Sequence, residues 1–268
     1  MEKDLKIVIT GKGGVGKTTI ASVLARIFVK KGYSVLAIDS DPQINLPFAL
    51  GVNIEEVDKI VPLTENFEYI REKIGVAPGE GWGLMFCLNP DVSDVVERFG
   101  IRTLEGINIL VMGTITQAGR GCLCPENTLL NAIINHINLR KNEVIILDTQ
   151  AGLEHFGRAL ARGFKHALII TDSTFNSIQV AKKAISLATQ LGIPNLYIIG
   201  NKTKNKKDIE KIENLLKPQK SFIKTFFYLP HKDIITLYEP DTKALLESDE
   251  GKEFVEKIEN IINTLITS

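Results

Sequence analysis

Nine residues near the start, Gly11-Lys12-Gly13-Gly14-Val15-Gly16-Lys17-Thr18-Thr19, restrict the rest of the chain more than any other stretch. They follow the apolar run Ile7-Val8-Ile9 and precede a helical pattern containing Ile20, Val23, Leu24, Ile27 and Phe28. The glycines let the backbone curl so that successive amide N–H groups face one bound polyphosphate. The following helix adds its positive end, Lys17 reaches the terminal phosphates, and the Thr18 hydroxyl is placed to ligate Mg²⁺. A glycine-rich turn with a stray lysine would explain the loop but not its setting between a strand and a helix. The pattern predicts a bound nucleotide.

Lys12 narrows this further. It is not needed to cradle phosphate within one chain, yet it puts a second cation beside Lys17. G-K-G-G-V-G-K-T-T resembles the deviant phosphate loop of cell-division and chromosome-partition ATPases, the nitrogenase iron protein and metallochaperone ATPases. In those relatives the extra lysine crosses a dimer interface to the partner's nucleotide. The resemblance implies an ATP-dependent homodimer in which Lys12 and Lys17 both serve hydrolysis.

At 268 residues the chain is expected to form a single ATPase domain over 1–268 with a substantial core. Lys+Arg and Asp+Glu both number 32, so no global field draws it to nucleic acid or an anionic membrane. Its apolar runs are strand-sized rather than membrane-spanning. The N-terminus enters the first strand directly, leaving no room for a signal peptide. Three cysteines make no disulfide framework. The expectation is a cytoplasmic protein.

Further strands end in acidic groups. Ser34 to Ile38 leads into Asp39-Ser40-Asp41-Pro42, and Glu143 to Leu147 into Asp148. Acidic residues at strand carboxyl ends beside a phosphate loop hold Mg²⁺ or orient an attacking water. Asp41 is assigned the water, and Asp39 and Asp148 the metal alongside Thr18. Helix caps or turn aspartates are the alternative. Gly152 follows, placed to meet the terminal phosphate, and Leu153 to Arg162 is the expected switch.

Continuous apolar runs at Ile107 to Gly113, Glu143 to Leu147, Ala167 to Thr171 and Leu196 to Gly200 predict strands covered on both faces. The fold class is therefore α/β: a doubly wound, mostly parallel sheet with helices on both sides. A helix is expected over Ser177 to Leu191, and a last strand over Thr225 to Leu229. Asn201 offers an amide donor and acceptor to an adenine edge, while the Lys202 stem lies on the ring. Pro230 opens a loop over the base, with His231 a solvated loop residue rather than a ligand. Lys202 to Lys220 alternates lysines with acids and reads as a solvated helix. The last helix puts Phe254, Ile258, Ile261, Ile262 and Leu265 on one face with no basic row opposite, so it packs on its own domain.

Residues 43–105 are less legible. Asn66 to Ile74 and Asp91 to Phe99 read as short helices, and Leu84 to Leu88 as a buried strand with Cys87 in the core. Trp82 is either an exposed contact or a loop anchor.

Gly119-Arg120-Gly121-Cys122-Leu123-Cys124-Pro125-Glu126 holds two thiols one residue apart. Pro125 suits the first position of a helix carrying Leu129, Leu130, Ile133, Ile134 and Ile137, which puts Cys124 at a helix N-terminus where thiolate is favoured. Two thiolates do not complete a tetrahedral soft-metal site, but a twofold dimer would bring Cys122 and Cys124 of both chains into one four-sulfur site. Reduced structural thiols or a strained disulfide are the alternatives.

These motifs, with Asn89-Pro90, Glu97-Arg98-Phe99 and Ala151-Gly152-Leu153-Glu154-His155-Phe156-Gly157-Arg158, together resemble CooC-type ATPases, maturation factors of nickel-dependent carbon monoxide dehydrogenase. The resemblance runs essentially the whole length. It implies a nucleotide-controlled dimer that carries Ni²⁺, with Zn²⁺ able to occupy the same cysteines, carbon monoxide dehydrogenase as client, and Glu154-His155 transmitting the nucleotide state. Acetyl-CoA synthase is the alternative client that departures from the family pattern would mark. His155 as an extra metal ligand is the weaker reading. Thr149, Gln150 and Arg120 depart from the pattern. A spatial-regulator ATPase resembling MinD or ParA would leave the thiols unexplained. An iron–sulfur reductase resembling the nitrogenase iron protein would set its two cysteines in separate loops.

Overall fold

A computed structural model describes residues 4–76, 87–113, 124–139, 143–152 and 160–268, with 124–127 and 138–139 described in backbone only. Strands β1 (Leu5–Gly11), β2 (Ser34–Ser40), β3 (Ile101–Arg102), β4 (Asn108–Val111), β5 (Glu143–Thr149), β6 (His166–Thr171), β7 (Asn195–Thr203) and β8 (Ile223–Pro230) form one sheet. Its order is β3-β4-β2-β5-β1-β6-β7-β8, parallel except for the antiparallel β3–β4 edge pair. The main helices are α1 (Lys17–Lys30), α2 (Phe67–Ile74), α3 (Cys124–Leu139), α4 (Phe175–Gln190), α5 (Lys206–Leu216) and α6 (Lys252–Thr267).

Both sheet faces are apolar because successive strand residues point to opposite sides. Val8, Leu36, Ile38, Leu110, Ile145, Leu147 and Ile169 pack beneath α2, α3, α4 and α5. Ile7, Ile9, Val35, Ala37, Val144, Ile146, Leu168 and Ile170 pack beneath α1 and α6. This two-sided burial is why the strands read as unbroken apolar runs, and it gives the expected doubly wound sheet. The five apolar residues of α6 are all buried in the second layer, so the helix does pack on its own domain. Among the described residues no helix is long and apolar enough to cross a membrane.

Local signals set the helix ends. The Asn205 side chain accepts from Lys207 N and Asp208 N at the start of α5, and Asn66 from Tyr69 N at the start of α2, each satisfying N–H groups that lack a helical partner. Gly75 closes α2 at φ 91°, a left-handed value that glycine adopts without strain.

Two expectations need correction, and one element is new. Cys87 is exposed and Leu88 is 70% exposed, so the described end of the stretch from Leu84 is neither buried nor a strand. The helix expected from Asp91 is confined to Val95–Phe99, because Asp91 and Asp94 serve turns and ion pairs before it. The short edge strand β3 was not anticipated; two residues are too few to carry a periodicity. The remaining residues of the expected strand at Leu84, and Trp82, lie outside the described residues.

Helix α1 carries a buried charge. Arg26, 3% exposed, donates to Glu105 in the turn between β3 and β4 and to Asp241 at 2.6 Å. The neighbouring Thr242 hydroxyl donates to the Ala49 carbonyl at 3.0 Å and lies 3.1 Å from the Ser22 hydroxyl of α1.

Candidate functional site

The parallel register brings the predicted residues to the carboxyl edge of the sheet. Asp39 of β2 and Ile9 of β1 both stand opposite Asp148 of β5, so the two acids are neighbours across one ladder. The phosphate loop leaves β1 at Gly11 and enters α1 at Lys17. Gly11 packs so close to β6 that an added Cβ would lie 2.3 Å from the Ile170 carbonyl oxygen. Only glycine fits there.

Lys17 is 7% exposed and its ammonium donates to the Lys12 carbonyl at 3.4 Å. Burial lowers its pKa, opposed by the charges of Asp148 and Asp41. No partner for the Lys12 ammonium is present among the described residues, consistent with a side chain free to leave its own loop.

Thr18 Oγ1 donates to Asp148 Oδ2 at 2.6 Å, while Asp148 Oδ1 is buried with no hydrogen-bond partner among the described residues. Burial raises the Asp148 carboxyl to about 7, with Thr18 and Lys17 pulling it down. Burial, then the charge of Asp148, raises Asp39 to about 8. An unpartnered buried carboxylate oxygen beside a threonine hydroxyl fits a hard, oxygen-seeking dication such as Mg²⁺.

Asp39 is engaged by the backbone. Its Oδ1 accepts from Asp41 N at 3.0 Å, and its Oδ2 from Asn45 N at 3.1 Å and Leu46 N at 3.0 Å. It thus fixes the turn that carries Asp41, whose own Oδ1 accepts from Gln43 N at 3.0 Å. Neighbouring hydroxyls stitch the strand tips: Ser40 Oγ donates to the Asp148 carbonyl at 3.0 Å and Thr149 Oγ1 to the Ile9 carbonyl at 2.8 Å. Thr149, a departure from the resembled pattern, therefore has a structural use.

Gly152 has φ 103°, and its N–H donates to the Gly11 carbonyl at 3.3 Å. The hydrogen expected to meet a terminal phosphate is engaged within the chain. Asn201 Nδ2 donates to the Val15 carbonyl at 2.7 Å, and Lys202 Nζ to the Gly14 carbonyl at 2.8 Å. Both side chains thus reach the loop itself.

These elements enclose a cleft of about 470 Å³. Its inner end is lined by Gly13, Gly16, Lys17, Thr18 and Asp41, and its outer end by Phe48, Pro230, Ile235, Glu239 and Pro240. Of the outer group only Pro230 was anticipated from sequence; the others sit in short helices and loops with no motif to mark them. His231 is exposed and lies 3.1 Å from Asp233, in keeping with a solvated loop residue.

The predicted thiol site lies outside what is described in side-chain detail. Cys122, Arg120, Glu154 and His155 lie outside the described residues, and Cys124 is described only as the first residue of α3.

The family model described as the CobQ/CobB/MinD/ParA nucleotide binding domain matches residues 6–258. The chain belongs to this family. The CobQ/CobB/MinD/ParA chain is 40% identical over 259 residues to an uncharacterised ATP-binding protein of Methanocaldococcus jannaschii, covering 96% of this chain and 97% of that one. It is 39% identical over 205 residues to the carbon monoxide dehydrogenase accessory protein CooC of Rhodospirillum rubrum, covering 76% and 77%. Among solved structures, the cell-division ATPase MinD of Pyrococcus furiosus superposes with a TM-score of 0.63 at 22% identity, covering 97% of this chain and 99% of that one. At that identity the likeness shows the fold alone.

Proposed function

We propose that this chain is an ATP-hydrolysing metallochaperone of the cytoplasm. In this reading it works as a homodimer that carries Ni²⁺, with Zn²⁺ able to take the same cysteines, to carbon monoxide dehydrogenase or acetyl-CoA synthase. The supporting observation is the 39% identity to a carbon monoxide dehydrogenase accessory protein, in a chain that also contains Cys122-Leu123-Cys124-Pro125.

The loop amides and Lys17 bind the triphosphate, and Thr18 and Asp148 hold Mg²⁺, with Asp39 supporting them. The metal would offset charge on the phosphate oxygens. Asp41 orients the water that attacks the terminal phosphorus as the bridging P–O bond breaks. Lys12 reaches the nucleotide of the partner subunit, and Asn201 and Pro230 meet the base. Closed and open dimers bind nucleotide unequally, and that difference drives the change at the four sulfurs.

Metal titration with and without ATP, followed by molecular mass, tests this. About one Ni²⁺ or Zn²⁺ per dimer is expected from a four-thiolate site, abolished in Cys122→Ala. A protein that binds ATP but takes up no metal, with or without that substitution, would exclude the chaperone role. A brown anaerobic preparation would instead indicate an iron–sulfur cluster.

A further inference from the structure

We propose that Asn201 and Lys202 are positioning residues that brace the phosphate loop, so that they govern affinity for the polyphosphate itself and not only for the base. This deepens the nucleotide-binding part of the proposed function and needs none of its metal chemistry.

In a regular strand, residues 201 and 202 would point to opposite faces of the sheet. Here the pairing of β7 with β8 shifts register between Gly200 and Thr203, and Lys202 is the one described non-glycine residue with positive φ, at 57°. Such irregularities beside functional sites re-aim side chains. The result is that Asn201 and Lys202 donate to the carbonyls of two successive loop residues, Val15 and Gly14.

Those two contacts fix more than two carbonyls. A peptide unit is planar and trans, so the C=O of one residue and the N–H of the next point in opposite directions. Holding the Gly14 carbonyl toward Lys202 turns the Val15 N–H away from β7. Holding the Val15 carbonyl toward Asn201 does the same for the Gly16 N–H. An anion-binding concavity needs its successive amides aimed together, and this pair sets two of them.

Asn201 has little freedom to do otherwise. It is 4% exposed, and an added Cβ on Gly16 would lie 2.5 Å from its Nδ2. With one Nδ2 hydrogen given to Val15, its buried Oδ1 has no partner among the described residues and stays open to a donor on the ligand. One amide thus spans loop and cleft.

The test is calorimetric titration of ATP, GTP and inorganic tripolyphosphate, each with Mg²⁺, into the full chain and into Asn201→Ala, Lys202→Met and Lys202→Arg. Loss of either brace should weaken all three ligands, tripolyphosphate included, by about five- to tenfold, the effect of one hydrogen bond. Lys202→Arg should recover most of that affinity. If tripolyphosphate binds Asn201→Ala and Lys202→Met as tightly as the parent while ATP alone is weakened, the pair reads the base and the brace is overturned. A parent chain that binds ATP but not tripolyphosphate overturns it too. A parent chain that binds neither overturns the nucleotide-binding reading as well. Lys202 is exposed, so Lys202→Met keeps the test decisive should Asn201→Ala fail to fold.

Discussion

The two ends of the cleft are built by different means. At the inner end Lys17 is 7% exposed and Asp39 and Asp148 are each 1% exposed. Their positions follow from strands β1, β2 and β5, locked in register at the centre of the sheet. The outer end is framed by Pro230, His231, Ile235, Glu239 and Pro240, and the short helix Asp233–Leu237 there buries none of its residues. One end is preorganised and the other is a surface. Discrimination should therefore be strong for the polyphosphate and weak for what is attached to it, because fixed donors gain little entropy when their ligand leaves.

The contrast is open to direct attack, most forcefully at Lys17. Replacing it with methionine keeps the buried stem and removes the charge. ATP affinity measured by titration should fall about 100-fold or more, the scale of losing one partner of a buried, charge-assisted contact. A loss no larger than tenfold would mean that the outer end carries the affinity.

A second test uses the buried acids. Asp39 and Asp148 are raised from 3.8 to about 8 and about 7, chiefly by burial. A carboxyl with its folded pKa above its unfolded one binds its proton more tightly in the native state. Its stabilising contribution is complete below the unfolded value near 3.8 and is lost as pH rises through about 7 to 8. Without nucleotide the melting temperature should fall by roughly 5–10 °C between about pH 5 and 8, less for Asp148→Asn. Mg²⁺ with nucleotide favours the ionised pair and should shrink the fall. A melting temperature independent of pH in that window would show that burial at the inner end does not hold the two carboxyls protonated.

The smallest effect is expected outside. Ile235→Ala removes part of the half-buried outer wall and should weaken ATP by about two- to threefold, the transfer free energy of a partly exposed side chain. Tripolyphosphate affinity should not change. A loss equal to that of Lys17→Met would erase the distinction between the two ends.

What was legible in the sequence divides along the same line. Gly11 to Thr19, Asp39, Asp41 and Asp148 are readable because phosphate and Mg²⁺ demand particular residue types at strand ends, whatever surrounds them. Asn201 and Lys202 are readable as a pair at such an end. Their reach to the loop is not, since it depends on a register shift between β7 and β8 that residue types do not announce. Phe48, Ile235 and Glu239 leave no signal, because an apolar residue in a four- or five-residue helix, or an acid in the loop after one, has many other uses. Cys87 was misread for a related reason: its apolar neighbours suggest a strand, yet nothing local says which side of a turn faces water.

Arg26 bears on how a nucleotide signal can travel. It sits on α1, the helix that starts at Lys17 and Thr18, and its guanidinium meets acids from two distant stretches, Glu105 and Asp241. Turning or sliding that helix would strand a cation away from water, a change that costs several kcal/mol, about 3–5 when a partner is lost. Helix α1 is keyed in place like a shaft in its bearing. A nucleotide signal is therefore expected to leave the phosphate loop by a route other than this helix, which serves as a fixed axle.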